Sequence, residues 1–184
     1  MPSMMLSPGP SRSPSRSGPL YALAVFSVLC LSLAAILLLV FPAAAQERGA
    51  PQTGLRSEAL SITTAAGKVH DFTVEIADTA ESRARGLMFY ESLAADAGML
   101  FDYHADREVV FWMKNTLIPL DMLFIARDGR IASIAENTEP LSEALVPSNA
   151  VVRFVLEVPA GTSAALGIAP GDRVDSPTIR AAAP

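Results

Sequence analysis

Two alternating, β-branched runs, residues 58–64 (EALSITT) and 68–76 (KVHDFTVEI), are separated by Ala65-Ala66-Gly67. Alternation with period two sends every second side chain to one face, and the small-residue break lets the chain reverse, so the pair predicts a hairpin. The period then changes. Asp78-Thr79-Ala80-Glu81 sets an N-cap residue three positions before a glutamate, and Ala80, Ala84, Leu87 and Met88 share one helical face, leaving Glu81, Arg83 and Arg85 outward. Gly86 is expected to weaken the last turn of that helix.

Residues 98–101 (GMLF) read as a short buried strand. Three strong β runs follow: 108–115 (EVVFWMKN), 121–127 (DMLFIAR) and 130–137 (RIASIAEN). Asp128-Gly129, between the last two, is the dipeptide of a two-residue type I′ turn. Residues 138–150 form a proline-containing loop, 151–158 (VVRFVLEV) a further strand and 161–168 a short helix. Pro170-Gly171-Asp172 leads into a last strand at 173–175, and the tail from 177 to 184 is expected to fray. No internal repeat is visible. Short strands with two short helices predict an α+β, mainly β domain over residues 58–176: a small curled antiparallel sheet or open β-barrel.

The preceding residues read differently. Residues 1–19 are Pro/Ser-rich and weakly basic, with nothing to bury, and are expected to be disordered. Positions 21–41 carry no charge, and small residues at Ala43 and Ala45 complete the three parts of a secretory signal over 20–45, with cleavage after Ala45. The apolar run is also long enough to span a bilayer, so an uncleaved signal anchor stays open. Leu29 is too large to precede a lipidated Cys30, which argues against a lipoprotein. Residues 46–57 are expected to be a polar linker. The sequence therefore implies export to the periplasm, either free or anchored in the inner membrane.

Charge narrows the partners. From Gln46 onward, 12 Lys and Arg stand against 19 Asp and Glu, a net charge of −7. Such a domain repels phosphate backbones, so nucleic acid is excluded, and the membrane is reached only through the N-terminal segment. Cys30 is the only cysteine, so cleavage leaves no thiol for disulfides, metal sites or nucleophilic catalysis. A monomer is expected.

The runs ESRARGLMF (81–89), GMLF (98–101), FWMKNTLIPLDMLFI (111–125), AEN (135–137) and FVLEVPAGTSAALGIAPGDRV (154–174) resemble one family, domain of unknown function 192 (DUF192). The resemblance runs from about residue 70 to 175 and is most specific in FWMKNTLIPLD. It implies a small, mainly-β protein, often exported or membrane-tethered, with no established reaction and no catalytic residues to carry over.

Candidate chemistry is sparse. His70 and His104 each lack a second ligand at metal spacing, and ordinary surface histidines explain them better. Met88, Met99, Met113 and Met122 raise a copper(I) carrier, since thioethers select that ion, but each lies in an apolar run where core filler is expected. No nucleophile elbow or phosphate loop occurs. No cofactor is implied.

Polar residues at the ends of apolar strands are the remaining candidates: Lys114, Asn115, Asp121 and Glu136, beside Trp112. A hairpin around residues 116–119 puts Lys114 opposite Asp121, and the Asp128-Gly129 turn puts Asp121 opposite Glu136. One face then reads Val110, Trp112, Lys114; Ile125, Leu123, Asp121; Ala132, Ile134, Glu136, with Trp112 buried over Leu123. An ion pair finishing a sheet edge is the plainer explanation. The functional one is a polar corner binding a small molecule or protein. The leading expectation is an exported, non-catalytic binding or accessory module. A small hydrolase or lyase using Asp121 or Glu136 with Lys114, and the copper carrier, are its rivals.

Overall fold

β1 (Ser57–Thr63) and β2 (Val69–Ala77) pair antiparallel, with Leu60 facing Phe72 and Ile62 facing His70, and Gly67 turns the chain with φ 77°. The computed structural model that shows this describes residues 49–182. The expected disordered stretch 1–19, the apolar segment 20–45, the first linker residues 46–48 and positions 183–184 lie outside the described residues. Among those described, no helix is long and apolar enough to cross a membrane.

α1 (Ala80–Arg85) starts one residue later than its sequence suggests. Thr79, not Asp78, is the N-cap, and its partner is Ser82: the Ser82 amide donates to Thr79 Oγ1 and the Thr79 amide to Ser82 Oγ, each at 3.0 Å. The buried face differs from the predicted one as well. Ser82, Gly86 and Leu87 face the protein, whereas Ala80 and Ala84 are exposed. The helix is the crossover to β3 (Ala97–Arg107), which runs parallel to β2 with Val74 beside Gly98 and Ile76 beside Leu100. Two parallel neighbours need such a connection, so the sheet is mixed rather than wholly antiparallel.

The remaining elements are β4 (Val110–Phe111), β5 (Leu120–Ile125), β6 (Ile131–Thr138), β7 (Val146–Pro147), β8 (Val152–Pro159), α2 (Thr162–Leu166), β9 (Arg173–Asp175) and α3 (Pro177–Ala182). Seven strands form one sheet in the order β6-β5-β8-β3-β2-β1-β9, and β4 and β7 form a separate ribbon. Of residues 108–115, only Val110 and Phe111 are paired, and their partners are Pro147 and Val146.

The sheet curls until its outer strands touch. Ile131 N donates to Asp172 O (3.0 Å), Gly171 N to Ile131 O (2.8 Å) and Val174 N to Gly129 O (2.8 Å). A Cβ on Gly129 would stand 2.5 Å from Val174 O, and its φ is 86°, so glycine alone fits this meeting point. Asp128 keeps a negative φ, whereas a type I′ turn needs positive φ at both central residues; Gly129 N bonds Ala126 O instead, closing a longer turn.

Inside the curl lie Leu60, Ile62, Val74, Leu100, Leu123, Phe154, Leu156 and Val174. A second cluster, with Met99, Phe101, Met122, Phe124 and Val155, covers the outer face of β3, β5 and β8 beneath Leu87, Val109 and Met113. The central strands are thus buried on both faces, which is why 121–127 and 151–158 are nearly continuous apolar runs.

Both ends of the described stretch are tied down. α3 is ordered rather than frayed: Ile179 is 4% exposed within the inner cluster, and Glu58 accepts from the Thr178 amide (3.1 Å) and hydroxyl (2.8 Å). The later part of the expected linker packs too, since Gln52 Nε2 donates to Gly86 O at 2.9 Å and Arg56 O accepts from Ile76 N at 2.8 Å. Ile179→Ala should therefore lower stability by about 2–5 kcal/mol in urea unfolding, where a frayed tail would give no change.

Candidate functional site

The expected row of Lys114, Asp121 and Glu136 is not assembled. Residues 109–113 point the opposite way from the predicted register: Val109 and Met113 are buried, while Val110 and Trp112 are exposed, Trp112 by 44%. Side chains alternate, so one step of parity sends the whole segment to the other face. β4 pairs with β7, and Lys114 accordingly reaches Glu143 (3.4 Å) and lies 5.1 Å from the Trp112 ring centre, away from Asp121. Trp112 is a surface residue, not core.

The β5–β6 hairpin follows its predicted register in the middle, with Met122, Leu123 and Phe124 facing Ala135, Ile134 and Ser133, but shifts between Leu120 and Met122. Glu136 is exposed, and Asp121 is fully buried. The Asp121 carboxylate accepts from the backbone amides of Asn137 (2.9 Å), Gly161 (3.1 Å) and Ser163 (2.9 Å). It joins β5, the end of β6 and the start of α2. Two of those donors open a helix, whose N-terminal amides have no partner within the helix. Asn115 holds a left-handed φ of 59°, and its side-chain amide donates to Met88 sulfur at 3.9 Å.

What the expected row overlooks is Glu157. It sits on β8 between Met99 of β3 and Met122 of β5, on the outer face of the sheet. It is 4% exposed, and burial pushes its carboxyl up to about 8. Above it opens a cleft of about 380 Å³ between α1 and β4, walled by Arg83, Met88, Phe101, Tyr103, Phe111 and Trp112. Phe111 meets Phe101 edge-on at 5.2 Å and Tyr103 at 6.4 Å, and the Arg83 guanidinium lies 5.2 Å from the Tyr103 ring centre. Burial, with the Glu157 charge, raises the Tyr103 phenol, and Arg83 and Arg107 oppose it. A largely buried carboxyl at the foot of an aromatic cleft has its proton affinity raised by that burial, an arrangement found at binding sites and in structural positions alike. Of the five expected site residues only Trp112 lines it, and Asn115 touches its wall through Met88.

The histidines and methionines occupy separate places. His104 is set between Asp102 (3.2 Å) and the Asp78 carbonyl (2.9 Å), and His70 lies opposite Ile62. Met99, Met113 and Met122 are buried in the outer cluster. Their environments differ: Gln52 donates to the Met99 sulfur (3.6 Å) and Thr138 to that of Met113 (3.2 Å). Among the described residues, no three His, Cys, Asp or Glu side chains are grouped to hold a metal ion.

Comparison with known proteins agrees with this architecture. The DUF192 family, described as uncharacterized ACR, matches residues 61–176. A Sinorhizobium meliloti 1021 protein, named for a conjectured role in transcription regulation, has a crystal structure with TM-score 0.67. It is 48% identical over 68% of this chain and 97% of its own. A Novosphingobium aromaticivorans DSM 12444 protein of unknown function has a TM-score of 0.65. It is 39% identical over 68% of this chain and 89% of its own. No curated protein matches the chain significantly.

Two outcomes follow from the site's geometry. Asp121→Ala strands three backbone donors and should cost about 3–5 kcal/mol, whereas Lys114→Met, breaking an exposed pair, should cost under about 1 kcal/mol. Urea unfolding of both variants checks this contrast. Glu157 sets a pH dependence: its carboxyl titrates at 4.5 when unperturbed and at about 8 in the folded protein. Between these values the folded state keeps a proton that the unfolded state has lost, so stability falls as pH rises through this window. Glu157→Gln removes that loss. Its stability should equal that of the parent near pH 4 and exceed it at pH 8.5 by about 3–5 kcal/mol, one pKa unit being worth about 1.4 kcal/mol. Parallel unfolding curves at the two pH values would show no such divergence if Glu157 were paired.

Proposed function

The chain belongs to the DUF192 family, and from that premise we propose that it is an exported, non-catalytic domain that binds a small organic molecule in the Glu157 cleft. One observation carries the reading. A carboxyl without a partner among the described residues is largely buried at the foot of an open, aromatic-walled cleft, where packing alone would favour an apolar residue. The cleft's size and its few polar groups in an apolar wall fit a ligand site. Export is inferred from the apolar run and Ala43-x-Ala45 site within residues 20–45. The Sinorhizobium relative's name suggests DNA as a partner, but the −7 charge from Gln46 onward disfavours it. The acid–base alternative loses its support, because Asp121 spends its oxygens on backbone amides and Glu136 stands apart from Lys114.

Native mass spectrometry of protein recovered from the periplasm tests both halves. The expected species begins at Gln46 and carries a non-covalent small-molecule adduct that disappears in Ala84→Trp, a substitution at an exposed position that fills the cleft. A chain retaining residues 20–45 would replace free export by anchoring. An adduct unaffected by Ala84→Trp would move binding elsewhere.

A further inference from the structure

Four acidic residues are buried among the described residues: Asp102, Asp121, Glu157 and Asp172. Three are saturated. Asp102 holds Arg153 (3.1 Å) and the His104 amide (2.7 Å), Asp121 holds three backbone amides, and Asp172 holds the Ala65 and Ala169 amides at 2.8 Å each. Glu157 has no hydrogen-bond or ion-pair partner among the described residues, and it faces the cleft.

Arg83, on the α1 wall of the same cleft, is its counterpart in opposite charge. Nη1 is committed to two backbone carbonyls, Asp78 O (2.6 Å) and Asp102 O (2.8 Å). No carboxylate of the described residues pairs with this guanidinium, since that of Asp102 is taken by Arg153 and His104. Nε and Nη2 keep their donor capacity. Arg83 and Glu157 do not form an ion pair with each other; both act on Tyr103 between them. The cleft thus offers a cation without an anion and a carboxyl without a cation, with Phe111 and Trp112 beside them. A cationic ligand would pair with Glu157 and be repelled by Arg83, and an anionic one would pair with Arg83 and leave Glu157 without a partner. A ligand with both completes the pair.

We propose that the cleft receives a small zwitterion of the amino-acid type, its ammonium on Glu157, its carboxylate on Arg83 and its aliphatic part against Phe111 and Trp112. The inference rests on the cleft being a ligand site. Glu157 must lose its proton to receive the ammonium, so binding releases one proton while the pH is below about 8. The charged or titratable groups facing it are Tyr103 on β3, Arg83 on α1 and Arg85 at the rim, and none changes charge between pH 6 and 8. Affinity should therefore rise with pH over that interval because of Glu157 alone.

The experiment titrates the exported protein with L-leucine, 3-methylbutylamine and 4-methylpentanoate, which keep one side chain and carry both charges, the cation only and the anion only. Binding is read from the Trp112 indole N–H resonance and by calorimetry. Leucine is expected to bind at least about tenfold tighter than either analogue. Its affinity should rise by up to about tenfold per pH unit from 6 towards 8, and Glu157→Gln should remove that slope. Amine binding equal to leucine overturns the role of Arg83. Acid binding equal to leucine, or a slope of zero or opposite sign, overturns the role of Glu157. In each case a shifted Trp112 resonance leaves the cleft standing as a ligand site. If no probe moves Trp112, the zwitterion inference fails, and the cleft is judged by the adduct in native mass spectrometry and its loss in Ala84→Trp.

Discussion

β8 runs between β3 and β5 with both of its faces buried, and most of the molecule's arrangement follows from that constraint. A strand dry on both sides needs cover on both sides. The curl of the sheet supplies one cover, bringing β9 round to Arg130 and Ile131 and enclosing Phe154, Leu156 and Val158. α1 and the β4–β7 ribbon supply the other, over Val155 and its neighbours. Any polar side chain on the outer face of β8 is then dry by geometry. Arg153 meets Asp102 near one end of the strand, whereas Glu157, further along, meets nothing but the cleft.

The buried aspartates show how this protein otherwise treats a dry charge. Asp121 gathers amides from β6 and α2, and Asp172 gathers them from the β1–β2 turn and the loop before β9. Each replaces lost water with several donors, which makes it a junction between segments distant in sequence. Glu157 makes no junction. That isolation is the feature on which the proposed ligand site rests.

Much of the fold was legible in the sequence and much of the site was not, for related reasons. The β1–β2 hairpin, β9 and the middle of β5–β6 follow strict alternation or clear turns, which local chemistry determines. β3 extends beyond the apolar GMLF run because its second half, DYHADR, is mostly polar and, from His104 onward, exposed, which gives no apolar signal. Trp112 was put inside because 108–115 alternates equally well in either parity, and only the partner strand, β7, decides between them. Asp121 looked like chemistry because its three donors are backbone amides, which no sequence displays. Glu157 left no signal either. In VVRFVLEV one parity is Val152, Phe154, Leu156 and Val158 and the other is Val151, Arg153, Val155 and Glu157, the pattern of a strand with one polar face, and only the cover supplied by α1 and the β4–β7 ribbon buries that second face.

The cleft's roof is built differently from the rest of the molecule. β4 and β7 share two residue pairs and join no strand of the main sheet, so no long ladder fixes the ribbon over Glu157. Its position comes from side-chain packing and single hydrogen bonds: Phe111 packs edge-on against Phe101 at 5.2 Å and against Phe124 at 6.1 Å, Val109 and Met113 are buried on either side, Ser133 Oγ of β6 donates to Ser148 O at 2.6 Å, and Phe89 N donates to Asn115 O at 2.9 Å. Edge-on aromatic pairs are each worth about 0.5–1.5 kcal/mol beyond burial, far less than a strand in a sheet. The floor of the site is three central strands joined by long ladders, whereas its roof is held by side-chain packing and single hydrogen bonds. That division is the one the proposed ligand site would need, with the charged group fixed on the sheet and the apolar wall free to adjust.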